Sequence, residues 1–174
     1  VLSVEDVMLK ATLLGTRIDR TSRLQAIQLL EELLKNRPGG VAAASPQEHH
    51  LLATLYDKED SDEAWAKARD HMVSALTDNQ ENLLYLQTFI RMLIKRNVLN
   101  EAEAWMKKLE AVAAKTDFFV DCQARFLHAQ GKDEEALAVI KDAVPDPIPA
   151  LPEEIRRVLG ASQVAVGVGG GLAD

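Results

Sequence analysis

The chain has 174 residues, of which 47% are hydrophobic and 27% are charged, and this balance excludes a disordered chain. Its formal net charge of −7 argues against nucleic acid as a partner, because a phosphate-binding surface must be basic. Aromatic residues make up only 5% of the chain, whereas Ala and Leu are abundant. This composition favours closely packed helices over sheets.

No apolar run approaches the roughly 20 residues that a bilayer span requires, so no membrane insertion is predicted. The single cysteine, Cys122, excludes an internal disulfide framework, and we expect it to be a small buried hydrophobic residue. The compartment stays open, with the cytoplasm slightly favoured. Because the chain starts at Val1, without an initiator Met or a signal-peptide pattern, we expect an excised piece of a longer protein or a processed form.

The first four predicted helices have recognisable starts. Ser3 with Asp6 begins the first, and a capping box of Ser22 and Gln25 begins the second, which Pro38-Gly39-Gly40 ends. Ser45, Pro46 and Glu48 begin the third, and Asp60 or Ser61 caps the fourth. Helical spacing predicts the apolar face of the second helix at Leu24, Ile27, Leu30 and Leu34, widened by Leu29 and Leu33. The predicted face of the third helix is Leu51, Leu52, Leu55 and Tyr56. That of the fourth is Ala64, Trp65, Ala68, Met72, Val73 and Leu76.

Four more helices follow, and no segment predicts a strand. The fifth, "NQENLLYLQTFIRMLIKRN", is the most apolar, and an Asn100 and Glu103 pair opens the sixth. The seventh reads "TDFFVDCQARFLHAQ", and the eighth follows Gly131. The buried positions predicted for helices five and six are Leu83, Leu84, Leu86, Phe89, Ile90, Leu93 and Ile94, then Ala102, Trp105, Met106, Leu109 and Val112. Residues 145–174 form a Pro/Gly-rich tail with one short helix predicted at 152–159.

An alanine recurs in the first turn of every second helix, and we call these four residues, Ala26, Ala64, Ala102 and Ala136, the marker alanines. Their spacings along the chain are 38, 38 and 34, and a turn is predicted shortly before each, at Thr21, Glu59, Asn97 and Gly131. A small residue here lets the preceding helix approach closely. The pattern predicts a helix hairpin repeated four times, whose copies must stack to bury their apolar faces.

The spacing near 34 and the turn "GKDEEA" resemble the tetratricopeptide repeat, from about Asp6 to Val144. The resemblance implies an all-α fold, a right-handed superhelix (α-solenoid) of stacked antiparallel helix hairpins over residues 3–144. The four hairpins would span 3–37, 45–77, 79–114 and 116–144.

This chain departs from the family pattern at several positions. Ala124 matches the small residue in the middle of the first helix of a repeat, but Leu14, Leu52 and Ile90 do not. The proline at the end of a repeat is missing at Leu76 and Ala114, and two repeats are longer than the period of the family. A half-a-TPR variant or another helical-hairpin solenoid therefore stays open.

Side chains that could carry chemistry are scattered. His49 and His50 point about 100° apart on a helix and cannot chelate one metal, and His71 and His128 are predicted on other helices. The acidic turn 57–63 lacks the glycine of a calcium loop and is interpreted as solvated. "GVGGG" has no strand before it and no Lys-Ser/Thr after it, so it is not a phosphate loop. Trp65 and Trp105 are interpreted as packing residues between hairpins. No catalytic, cofactor or metal site is predicted, and the chain is not expected to be an enzyme.

The resemblance implies a concave groove lined by the first helix of each repeat, which commonly holds a peptide or a partner helix. By position, the predicted groove residues are His49, Ala53, Tyr56, Gln87, Arg91, Lys95, Asp121, Arg125 and His128. Arg91 and Arg125 would lie side by side and could hold a carboxylate in a bidentate manner. Alternatively, both arginines pair with their own neighbours, such as Asp121 and the acids around Glu101. The Lys and Asn pairs of chaperone-binding members are not matched.

These observations predict a non-catalytic scaffold that binds a peptide or helix of a partner protein. Two alternatives stay open: a regulatory or targeting repeat segment of a larger enzyme, and a homo-oligomerisation module that stacks through its Leu-rich first hairpin. Whether the tail, with its "IPAL" segment, occupies the groove is also open.

Overall fold

The computed structural model describes residues 3–143, except for the side chain of Asp78. Helices make up the regular structure of this part of the chain. The all-α prediction is confirmed for this part of the chain, where no strand occurs. The elements are α1 (Val4–Gly15), α2 (Arg20–Lys35), a 3₁₀ turn (Gly40–Ala43), α3 (Pro46–Tyr56), α4 (Asp62–Asp78), α5 (Leu83–Lys95), α6 (Leu99–Ala113), α7 (Asp117–Ala129) and α8 (Asp133–Ala143).

The helix starts show where local signals suffice. Ser3 with Asp6 and Ser45 with Glu48 form the predicted capping boxes, and Ser61 caps α4. The prediction for α2 was wrong, because Asp19 accepts the N–H of Ser22 at 2.7 Å and the helix begins at Arg20. The prediction for α6 was also wrong, since the helix begins at Leu99, after Val98, with no side-chain cap. In both cases the preceding turn is short, and the helix begins earlier than the capping residue that the sequence indicated.

The most extensive contacts join α1 with α2, α3 with α4, α5 with α6, and α7 with α8. Short turns connect the members of each pair, as in antiparallel helix hairpins. Neighbouring pairs contact each other through α1 with α3, α2 with α3, α4 with α5, α5 with α7, and α6 with α7. Contacts between pairs therefore run from each pair to the next along the chain.

The core runs along the interior of these pairs and contains the marker alanines Ala26, Ala64 and Ala102. The fourth, Ala136, is also buried but lies outside this cluster. Their burial agrees with the expectation that small residues permit close helix contact. Several residues that were predicted to be buried instead lie half-exposed on the outer surface: Leu24, Val73, Leu84 and Val112. Helical spacing identifies the apolar stripe correctly but overestimates its width, because only the centre of the stripe meets another helix.

Two of the four predicted turn residues take a left-handed backbone conformation. Asn97 and Gly131 have φ values of 59° and 77°. The next residues, Val98 and Lys132, donate N–H bonds to Leu93 O and Leu127 O at 2.9 and 3.0 Å, as in a Schellman C-cap. The turn predicted at Thr21 was wrong, since Thr21 lies within α2.

None of the helices within residues 3–143 has the length and apolar character that crossing a membrane requires. The tail at 145–174 and its predicted helix at 152–159 lie outside the described residues.

Candidate functional site

A groove of about 590 Å³ crosses α3, α5 and α7 on one side of the molecule. Four of the predicted groove residues, Arg91, Lys95, Arg125 and His128, line it. The remaining lining residues are Thr54, Asp57, Lys58, Thr88, Met92, Ile94 and Ala129. The groove thus has a partly apolar floor and a cationic rim, drawn from three helices that each belong to a different pair.

Asp121 connects the two arginines of the groove. It accepts from Arg125 Nε at 2.7 Å, lies 3.7 Å from Arg91 Nε, and also accepts from Gln87 Nε2 at 3.0 Å. The side chains of Arg91 and Arg125 are still 48% and 50% exposed. One carboxylate shared by two half-exposed guanidinium groups leaves hydrogen-bond donors available to a ligand.

Arg91 and Arg125 therefore both pair with Asp121, as the alternative interpretation expected. The expected pairing of an arginine of the groove with Glu101 was wrong, because Glu101 pairs with Arg69 at 3.1 Å.

The opposite end of the groove carries two lysines. Lys95 Nζ lies 3.0 Å from Asp57 Oδ2 and 2.7 Å from Asp57 O, and Lys58 Nζ donates to Gly15 O at 3.0 Å. With Arg91 and Arg125, the groove holds four cationic groups against the carboxylates of Asp57 and Asp121. The groove is therefore locally cationic in a chain of net charge −7.

Three predicted groove residues, His49, Ala53 and Tyr56, do not line this groove. All are buried between helices. Tyr56 donates to Glu31 of α2, and burial raises the pKa of its hydroxyl, with Glu31 reinforcing the shift. These positions lie on the face of α3 that packs against α2 and α4, so periodicity could not separate them from the groove face.

His49 and His71 form a pair that the sequence did not reveal. Their Nδ1 atoms lie 2.8 Å apart across α3 and α4, and Tyr56 stacks on the His71 ring. Burial, followed by the proximity of His49, lowers the pKa of His71 to about 4. With this pKa, His71 is neutral at neutral pH. A hydrogen bond between the two Nδ1 atoms needs one ring to donate and the other to accept. We therefore assign the pair to stabilising the α3–α4 hairpin.

His50 joins α3 to α5 beside the groove. Its Nε2 lies 3.1 Å from Thr88 Oγ1, and its ring stacks on Tyr85 at 4.7 Å. Burial lowers the pKa of His50, which favours the neutral ring. His128 lies 2.6 Å from Asp133 at the far end of α7 and is largely exposed.

Two carboxylates tie the first hairpin to the second. Arg37 makes two bonds with Glu48, at 2.6 and 2.8 Å, and Arg20 and Arg23 both contact Glu59, at 2.8 and 2.6 Å. Burial opposes ionisation of both carboxylates, but these bonds outweigh it and lower the pKa of Glu48 and of Glu59. The interpretation of 57–63 as a solvated turn was thus wrong for Glu59, which is buried.

Other candidate residues have packing roles. Cys122 is buried as predicted, and burial raises the pKa of its thiol to about 12, which makes the nucleophilic thiolate scarce. Trp105 packs edge-on against Phe89 at 5.2 Å, and Arg96 lies over Trp65 at 5.5 Å. Within residues 3–143, no three His, Cys, Asp or Glu side chains come together to hold a metal ion.

The described part of the chain is therefore an all-helical protein of paired helices with a cationic groove. Comparison with family models, with curated proteins and with solved structures gives no match to this chain.

Proposed function

We propose that this chain is a non-catalytic, tetratricopeptide-like repeat scaffold whose groove binds an acidic, extended segment of a partner protein. The observation that carries the proposal is the groove itself. Half-exposed Arg91 and Arg125 share the single carboxylate of Asp121 within a groove that spans three helices.

The packing of the helices supports a repeat scaffold. Pairs of helices contact the next pair along the chain, and the marker alanines are buried in all four pairs. Asn97 and Gly131, in the turns of successive hairpins, end their helices with the same left-handed conformation. These features agree with stacked hairpins, in which each repeat contacts only its neighbours.

The chemistry of the rim supports an acidic ligand. A guanidinium group presents planar donors that match a carboxylate and can bind it through two parallel bonds. A carboxylate from a ligand would replace water on the exposed donors of Arg91 or Arg125, while Asp121 keeps both side chains in position. The apolar floor, which includes Met92 and Ile94, can accept the intervening side chains of an extended peptide.

The titratable groups with lowered pKa values support a structural role. Glu48, Glu59 and His71 have their pKa values lowered within contacts that join helices. Their shifts are accounted for by the packing of the scaffold.

The test compares binding of fluorescently labelled peptides of equal length, one alternating acidic and apolar residues and one alternating basic and apolar residues. We expect the acidic peptide alone to bind. An Arg91→Glu/Arg125→Glu variant should weaken it about 10- to 100-fold, since two charge-assisted contacts become repulsive. Fluorescence anisotropy at two salt concentrations measures the affinities.

The matched control is Lys35→Glu/Lys107→Glu, which makes the same change in net charge at exposed positions on α2 and α6, outside the groove. This variant should keep the parent affinity to within about twofold. Equal weakening by both variants would show a general charge effect and would contradict a site in the groove.

A further inference from the structure

The C-terminal end of the helix array presents a second apolar surface, which we call the α7–α8 face. It encloses about 580 Å³ and is lined by Asp117, Val120, Asp121, Ala124, Arg125, His128, Asp133, Ala136, Leu137 and Ile140. Within residues 3–143, the extensive contacts of α8 are made with α7. Helix α7 also packs against α5 and α6.

The α7–α8 face is built like an internal interface of the array. Counted from the marker alanine of each hairpin, Leu137 and Ile140 occupy the positions in the last hairpin that Ile27 and Leu30 occupy in the first. Ile27 and Leu30 are 6% and 0% exposed, and α2 contacts α3 of the next hairpin. Leu137 and Ile140 are 56% and 44% exposed. The position of Ile140 is thus buried in each earlier hairpin, at Leu30, Ala68 and Met106, and open in the last. The position of Leu137 is also exposed in the third hairpin, at Glu103.

The other end of the array presents the complementary surface, which we call the α1 face. Glu48 and Leu55 contact Arg37 and Gly15 of the first hairpin, so the stripe through Glu48, Leu52 and Leu55 faces that hairpin. The equivalent stripe on α1, one marker-alanine spacing earlier in the chain, is Lys10, Leu14 and Arg17. These three residues line a cavity of about 320 Å³ together with Asp6, Leu9 and Leu13.

The two faces are complementary in charge as well as in position. The α1 face carries Lys10 and Arg17 against one acid, Asp6. The α7–α8 face carries three carboxylates, of which Asp121 pairs with Arg125 and Asp133 with His128. The third, Asp117, makes no ion pair within the described residues and is positioned to meet a cation from outside.

We propose that the α1 face of one copy of this chain packs onto the α7–α8 face of another copy, so that the first hairpin of one copy acts as a fifth hairpin for its neighbour. Such a contact joins two different surfaces and is heterologous, so it repeats from copy to copy unless the rotation closes a ring. The α7–α8 face shares Arg125 and His128 with the groove, so a packed copy would compete with a ligand there. Self-association is measured without any peptide, and its failure would leave the proposed function standing.

The test is sedimentation velocity of the full chain over a wide range of concentrations, with Leu13→Asp and Ile140→Asp as variants. We expect the average mass of the parent to rise with concentration. Each variant alone should associate about 10- to 100-fold more weakly, because a charge enters an apolar contact. Since each variant keeps one intact face, an equimolar mixture of the two should form a 1:1 dimer that does not grow further.

The control is Val112→Asp, at a half-exposed apolar residue of α6 outside both faces, and it should associate like the parent. Circular dichroism checks that each variant is folded. A parent that stays monomeric at all concentrations, as expected if residues 144–174 or another partner covers the α7–α8 face, would overturn the proposal. Association of either variant alone at parent strength would also overturn it, because a face would then be pairing with itself.

Discussion

Replacing Glu48 with alanine is expected to lower the free energy of unfolding by roughly 3–4 kcal/mol, the loss typical of a broken buried ion pair. The Glu48 side chain is almost fully buried and binds the Arg37 guanidinium through both oxygens. It also accepts the N–H of Ser45 at 2.7 Å, which completes the capping box of α3. The variant would leave Arg37 without its partner and the start of α3 without one cap.

Urea unfolding followed by circular dichroism measures this loss. The matched control is Glu63→Ala, which removes an exposed glutamate from its pair with Lys67 and should cost less than about 0.5 kcal/mol. Equal losses in the two variants would contradict the assignment of Glu48 as the link between the first and second hairpins.

Lowering the pH from 7 to 5 is expected to reduce the free energy of unfolding by about 1–2 kcal/mol through His71. Its pKa is 6.5 in an ordinary environment but about 4 in the fold, because of burial and then His49. The charges of Asp70 and Glu31 favour protonation of His71, and Lys67 opposes it. Between these two values the unfolded chain binds a proton that the folded chain does not bind. Stability is therefore fully present above about pH 6.5 and falls as the pH decreases towards 4.

Urea unfolding of a His71→Gln variant at a series of pH values between 7 and 5 tests this. Its stability should change less with pH than that of the parent. Lowered pKa values at Glu48 and Glu59 act mainly below their ordinary value of 4.5, outside this window. His50, whose pKa burial also lowers, acts in the same direction as His71, so part of the slope should remain in the variant. An unchanged slope in His71→Gln would contradict the proposed origin of the pH dependence.

The sequence predicted helix starts well where the capping residues are close together in the chain. Ser45 and Glu48 stand at the N-cap and N3 positions of α3, and their capping box follows from that spacing alone. The burial of Ala26 and Ala102 also followed from the recurrence of a small residue in the first turn of a helix. Asp19 was missed as a cap because Ser22, slightly later in the chain, offered an equally good local signal.

Contacts between distant residues could not be predicted in the same way. His49 and His71 are far apart in the sequence and meet only because α3 and α4 pack side by side in one particular register. The family resemblance placed His49 in the groove, whereas the structure buries it on a neighbouring face of the same helix. Arg91 and Arg125 were predicted to be neighbours because they occupy equivalent positions in the predicted repeats, and both contact Asp121.

The most direct test of the proposed binding groove is backbone amide shift mapping by nuclear magnetic resonance, with the chain titrated by the acidic, alternating peptide. Binding in the groove predicts shifts that cluster at the lining residues of α3, α5 and α7, such as Thr54, Thr88 and Arg125, and that vanish in the Arg91→Glu/Arg125→Glu variant. Shifts that cluster on the outer surface between α4 and α6, around Val73 and Val112, or no shifts at saturating peptide, would contradict it.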